Sequence, residues 1–476
     1  MDSWEIVDTR KRQLNNFYKR VSRTRNRLKM YGENGEQDGF HLIDPTTNEK
    51  MDDVINVTEN KSVSYMIRII AGLMSGKWQP VVESSTSSKM SDKAARKIEA
   101  IVDAHLQQAD EYLLTEYGIT DLNSWLCNHV CHTSLIGVQW VTSIKDGEYH
   151  IHCQPVDMLW TPFMLNKWIA PTSWLDKEDL DEQLEGMSKR LHEKAKYLKP
   201  YDIKETGNEL RDIWFPDKHE VWVEKQMVFS EPNPLEEIPF DIIWPPTGFM
   251  FRDKDYLEFE SPNLLYANEG LYNQLSRQLS VDATLGFNAI NPPYQRQVQN
   301  LDESKPTLPV PKRGEGIEVL TGEDYKPMPT GDVNRAELAT RDQVSNLIDE
   351  AGPTNPRAYT TPPSAIEVAQ EVEILDQLQN PRILALQRFK EAQAKRIIRQ
   401  AIKVGGGFHV VGRSGSAREY DFSDLKDPKK YSISYTMLKQ NKRLAIINEE
   451  RALAMMGKAP LRYILKDVWM VEDVDG

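Results

Sequence analysis

Apolar positions recur at a helical period through the middle of the chain. Between Asn263 and Ile290, Leu264, Leu271, Leu275, Leu279, Ala283 and Phe287 fall at steps of seven or four, an amphipathic stripe that predicts a helix. Asn291-Pro292-Pro293 ends it, because consecutive prolines remove backbone donors and push the preceding residue out of the α region. A return helix is predicted over Asn334 to Ala351, with Leu338, Val344, Leu347 and Ile348 along one side and Gly352-Pro353 as its stop. Pro353 to Pro363 is too proline-rich for helix or central strand. A third helix opens at Ser364, an N-cap with Glu367 at the capping-box spacing, and runs to Gln400. Between the first two helices, residues 291–333 hold Pro292, Pro293, Pro306, Pro309, Pro311, Pro327 and Pro329 with a β-like run at Gly316 to Leu320, the pattern of a compact protruding lobe.

The flanks alternate helix and strand signals. Residues 8–31 predict a basic amphipathic helix with Leu14, Phe17, Val21 and Leu28 at near-helical spacing, either a solvated outer helix or a contact for nucleic acid or an acidic partner. A helix over residues 59–78, an extended run at Val81 to Glu83, a polar loop over 84–91 and a helix over 93–117 follow. A helix from Asp121 to Leu135 leads into two alternating runs, Gly137 to Ser143 and Tyr149 to Cys153, joined by Asp146-Gly147, which predicts a hairpin. Residues 165–210 are charged and helical in pattern and read as an insertion. Asp212 to Phe215, Glu220 to Glu224 and Asp241 to Trp244 predict strands, the last after a turn at Asn233 to Phe240. Beyond Gly405-Gly406-Gly407, strands are expected at Phe408 to Gly412 and Tyr431 to Tyr435, and a last helix over Lys439 to Met456.

Composition narrows the class without choosing a function. With 476 residues, two or three packed regions are expected. The net charge of −13 argues against a tight sequence-reading DNA binder, which neutralises phosphates with cations, although an acidic wall can surround a duplex without holding it. Cys127, Cys131 and Cys153 make no disulfide framework, as suits a reducing cytoplasm. The N-terminal stretch lacks the apolar core of a signal peptide, and the apolar run Tyr65 to Met74 is interrupted by Arg68, so no membrane role is expected. The Asn-x-Ser/Thr triplets at Asn56 and Asn60 carry no meaning in that setting.

The order of these parts resembles the tailed-bacteriophage portal protein (head-to-tail connector) family. The resemblance is carried by Asn291-Pro292-Pro293, by the run from Arg341 to Pro353 and by Thr361 to Ile383. It is supported by the hairpin followed by Pro155-Val156-Asp157 and by the Ile238-Pro239-Phe240 run. It implies an α+β, portal-like fold: long central helices, a β-containing outer wing, a protruding Pro-rich clip lobe and a C-terminal helical crown. The implied divisions are 1–262 wing region, 263–290 stem helix, 291–333 clip, 334–351 second stem helix, 352–363 tunnel loop, 364–404 long wing helix and 405–476 crown. It implies a ring of about twelve copies at one capsid vertex of the virion, assembled in the host cytoplasm. Double-stranded DNA would pass through it, and terminase large subunit, a head-completion or tail adaptor and the major capsid protein would be its partners. By the same likeness Thr354, Asn355, Arg357 and Tyr359 belong to a tunnel loop that meets phosphates without reading bases. Lys305, Lys312 and Arg313 belong to a clip surface that docks terminase and adaptor.

No catalytic residue, cofactor or metal is expected. Gly72 to Lys77 imitates a phosphate loop but has three residues between its glycines rather than four, and Trp78 stands where Ser or Thr is needed for Mg²⁺. Cys127, His129, Cys131, His132, His152 and Cys153 cluster in sequence, yet Cys127 and Cys131 at i, i+4 differ from the short knuckles of structural zinc sites. Asp181-Glu182 and Glu371-Val372-Glu373 sit beside no His pair or Gly-rich strand end, so a solvated face explains them. The alternatives are a metal-dependent DNA-processing enzyme and a ring-forming tail or baseplate adaptor.

Overall fold

Helical and extended segments alternate in the α+β chain; many strands pair with their neighbour in sequence, as Ile136–Lys145 does with Glu148–Val156, while others, such as Gly76–Ser84 with Tyr431–Lys439, pair across long separations. The computed structural model describes residues 2–32, 35–51, 54–84, 91–145, 148–188, 196–200, 203–233, 235–245, 263–290, 294–298, 316–320, 335–350, 365–411, 417–422, 425, 428 and 431–439. The helices are α1 (Ser3–Gln13), α2 (Asn15–Leu28), α3 (Lys61–Met74), α4 (Asp92–Tyr117), α5 (Leu122–His132), α6 (Lys177–Ser188), α7 (Glu269–Ile290), α8 (Arg335–Glu350) and α9 (Ala365–Val404). The strands begin with β1 (Gly76–Ser84), β2 (Ile136–Lys145), β3 (Glu148–Val156), β4 (Phe163–Met164), β5 (Trp168–Ile169), β6 (Thr172–Leu175) and β7 (Lys196–Tyr197). They continue with β8 (Asn208–Trp214), β9 (Lys218–Val223), β10 (Gln226–Pro232), β11 (Phe240–Ile243) and β12 (Tyr294–Val298). The last are β13 (Gly316–Leu320), β14 (Gly407–Val411), β15 (Ala417–Asp421) and β16 (Tyr431–Lys439). Two compact units divide the chain: Met1–Ser22, Arg68–Leu264 and Tyr359–Gly476 in the first, Arg23–Ile67 and Leu265–Ala358 in the second.

In the first unit β2 and β3 form the predicted hairpin, paired out to Lys145 and Glu148, and β11 joins the other side of β2. Where β11 ends, the edge of β2 finds a substitute partner on α9. Gln400 accepts from the Thr142 N–H at 3.0 Å and donates to the Trp140 carbonyl at 2.9 Å, completing the pairing that a buried strand edge requires. Arg396, one turn earlier, bonds the Asp241 and Glu237 carboxylates and the Ile238 and Phe240 carbonyls, which ties α9 to β11.

A larger sheet runs β4-β5-β8-β9-β10-β7, with β6 also paired to β8. Leu180 and Leu184 of α6 pack on one side of it with Leu210, Val221, Val223, Val228 and Phe229. Trp4 and Val7 of α1 pack with Trp168, Ala170, Ile213 and Trp222. The helical reading of residues 165–210 is therefore corrected. Among the described residues of this stretch only α6 is helical, while β5, β6, β7 and the start of β8 are extended, because Trp168, Ile169 and Leu210 fill the sheet's core. The predicted basic helix over 8–31 is also two helices. Asp2 accepts from the Glu5 N–H at 2.8 Å and starts α1 earlier, and the chain breaks at Leu14. There Leu14, Phe17 and Val21 enter a core with Leu135, Met158, Phe163 and Trp214.

The helix predicted over 59–78 ends at Met74, and β1 begins at Gly76 to pair antiparallel with β16 along Gly76↔Lys439 to Ser84↔Tyr431. A Cβ added at Gly76 would meet the side chain of Met437, which packs over the glycine. Among the described residues β1 has a strand partner on one side only, the edge position at which Pro80 is tolerated. The phosphate-loop look-alike is thus the end of a helix and the start of a strand, and Lys390 Nζ lies 5.6 Å over the Trp78 ring. The Asp146-Gly147 turn, Ser364 and the helix expected over Lys439 to Met456 beyond Lys439 lie outside the described residues.

Candidate functional site

The second unit is built on α7, which buries Leu275 of the predicted stripe with Tyr272 and, beside them, a polar line that the stripe does not contain. Ser276, Ser280 and Thr284 are buried at i, i+4 spacing, on one line along the helix. An extended segment, residues 55–59, lies along that line. The Glu59 N–H donates to Ser276 Oγ at 3.1 Å, the Val57 N–H to Ser280 Oγ at 2.8 Å and the Ile55 N–H to Thr284 Oγ1 at 2.9 Å. The spacings match because two extended residues span roughly 6.6 Å and one i, i+4 step of helix roughly 6 Å. Ser280 and Thr284 in turn donate to the carbonyls of Ser276 and Ser280, so each hydroxyl is used in both directions.

Glu59 closes one end of this ladder. Its carboxylate is buried and accepts from the Ser62 N–H at 3.1 Å and hydroxyl at 2.6 Å, while Arg27 pairs with it at 3.3 Å. Arg27 also bonds the Asn273 side chain and stands 5.2 Å over the Tyr272 ring, so the buried acid has both charge and hydrogen-bond compensation.

Helix α8 packs beside α7 through Val344 and Ile348, both buried, and through an Arg341–Asp282 ion pair at 2.7 Å. Lys61 Nζ donates to Ser345 Oγ at 2.6 Å. The single apolar side expected for α8 is corrected: Leu347 is 49% exposed and Leu338 36% exposed. At about 100° per residue these two leucines fall on opposite flanks of the face made by Arg341, Val344 and Ile348.

The residues that the resemblance implies for a tunnel loop, Thr354, Asn355, Arg357 and Tyr359, and for a clip, Lys305, Lys312 and Arg313, lie outside the described residues. Helix α8 ends at Glu350 and α9 begins at Ala365, while β12 and β13 pair in parallel from Tyr294↔Gly316 to Val298↔Leu320.

Of the cysteine and histidine cluster, Cys127, His129, Cys131 and His132 share α5, and the His129 and His132 rings lie 4.4 Å apart. Burial pushes the Cys127 and Cys131 thiols up to about 12 and Cys153 well above its ordinary value, which opposes thiolate formation. His129 stacks on Trp125 at 3.8 Å, and His152 bonds the Tyr112 hydroxyl at 2.8 Å. Among the described residues no group of three or more His, Cys, Asp or Glu is placed to hold a metal, and no helix is long and apolar enough to cross a membrane. Asp181 and Glu182 are exposed on α6.

Sequence reasoning missed the hydroxyl ladder and the Arg27–Glu59 clamp. The signal was present as Ser276, Ser280 and Thr284 at i, i+4 opposite the alternating run Ile55-Asn56-Val57-Thr58-Glu59. No protein-family model matches the chain, and no curated protein matches its sequence.

Proposed function

We propose that the protein is a phage portal: a ring-forming subunit that conducts double-stranded DNA during packaging and ejection, and on which terminase and a tail adaptor dock. Its work is assembly and conduction rather than bond chemistry. The observation that supports this reading best is the pair of exposed leucines on opposite flanks of α8. A closed ring needs a head-to-tail interface, which uses two different surfaces of each subunit, and Leu338 and Leu347 supply one apolar position on each side. The order of α7, β12, β13, α8 and α9, with a proline-rich stretch between α8 and α9, gives further support. In this reading α7 and α8 form the inner wall and residues 352–363 narrow the bore.

Negative-stain imaging of the purified protein tests the proposal. Rings with a central hole are expected, together with no turnover of ATP or DNA in Mg²⁺. Compact single copies without a hole, or nuclease activity, would overturn it.

A further inference from the structure

A second surface, in the first unit and independent of the ring reading, carries its own inference. The turn between α1 and α2 and the segment after β3 enclose a groove of about 580 Å³ with Tyr18, Leu159 and Trp160 among its walls. Its rim is cationic, formed by Lys11, Arg12 and Lys19. Trp160 is 41% exposed and meets Trp174, 44% exposed, edge to face at 4.9 Å. Lys11 Nζ stands 5.7 Å over the Trp174 ring and reaches Glu209 at 3.8 Å. Two indoles left this open beside a cationic rim are unusual on a chain whose net charge is −13.

We propose that this groove docks an acidic peptide segment of a partner protein, an apolar side chain seated on Leu159 and Trp160 and flanking carboxylates paired with Lys11, Arg12 and Lys19. The volume takes one or two large side chains, and an apolar floor with a charged rim is the anatomy of a protein interface centred on tryptophan. Nucleic acid fits less well. The overall negative charge of the chain opposes a polyanion.

The test uses the full chain and fluorescence anisotropy of a labelled peptide in which glutamates flank a Leu-Phe-Leu centre. A peptide with lysines for glutamates and an oligothymidylate of equal length serve as comparisons. Only the acidic peptide is expected to bind, weakening roughly tenfold or more in about 0.5 M salt, in Trp160→Ala, and in the exposed double variant Arg12→Glu, Lys19→Glu. The double variant guards against loss of folding, since neither side chain is buried. No binding by the acidic peptide, equal binding by the lysine peptide, preferred binding of the oligonucleotide, or affinity unchanged in both variants would each overturn the proposal.

Discussion

Arg396 holds Asp241 at two points, Nε to Oδ2 at 2.9 Å and Nη2 to Oδ1 at 3.0 Å, with both side chains largely buried. Glu237 takes a third contact at 2.9 Å. Removing the guanidinium strands Asp241 in a place where water cannot compensate it. Arg396→Met is expected to cost about 3–5 kcal/mol, read as a lowered midpoint in chemical denaturation, and adding Asp241→Asn should recover part of the loss. A midpoint unmoved by the single change would show that the pair does not anchor α9.

His219 is clasped between two carboxylates, Asp212 at 2.5 Å and Glu231 at 3.2 Å, and stacks on Trp214 at 3.8 Å. Burial works against its charge, but Asp212 and then Glu231 outweigh it and raise the imidazolium to about 9. A folded value above the unfolded one of about 6.5 stabilises the fold fully below about 6.5, and the gain is lost as pH rises through 9. Stability should therefore fall by on the order of 3 kcal/mol across that window, and His219→Gln should flatten the fall. Equal slopes for the two proteins in denaturation between about pH 6 and 9.5 would refute the assignment.

The hydroxyl ladder predicts a local effect. Ser280→Ala leaves the Val57 N–H unpaired and should cost about 1–2 kcal/mol. Amide hydrogen exchange is the direct readout, with faster exchange at Ile55, Val57 and Glu59 and little change in the β2–β3 hairpin. Uniform acceleration everywhere would point instead to global destabilisation.

If Leu338 and Leu347 face different neighbours, Leu338→Glu and Leu347→Glu should each block ring closure while leaving the fold intact. Mixed together, the two variants still own one good flank each, so they should form pairs that grow no further. Mass photometry separates the outcomes, and rings formed by either variant alone would exclude these flanks from the interface.

Arg357 tests the channel assignment. Arg357→Ala is expected to assemble normally but to change the length or retention of packaged DNA, since the residue would supply one positive charge per subunit toward the phosphates. Unchanged genome length and retention in assembled particles would remove Arg357 from that role.

The helix stops near Ile290 and Glu350 were legible because proline and glycine punctuate the chain there, and the Asp-Gly dipeptide announced the hairpin. Strand β10 went unseen. Its turn from β9 is made by Glu224 and Lys225, both at positive φ, and neither is a residue type that signals such a turn. On α7 the leucine stripe drew attention to one side of the helix, whereas Ser276, Ser280 and Thr284 are buried through hydrogen bonds that an apolar period cannot reveal. Residues 165–210 failed for the opposite reason, since surface charge hid the short strands of a sheet.

The pairing of Gly76 with Lys439 also has a bearing on biosynthesis. A nascent chain leaves the ribosome at about 5–20 residues per second, so β1 emerges on the order of tens of seconds before the strand that covers it. During that interval an unpaired strand edge is open to other chains, and crowded polysomes are where such contacts form. Production of this protein should therefore be most vulnerable while translation is under way, and an incomplete product ending before Tyr431 keeps that edge bare for good.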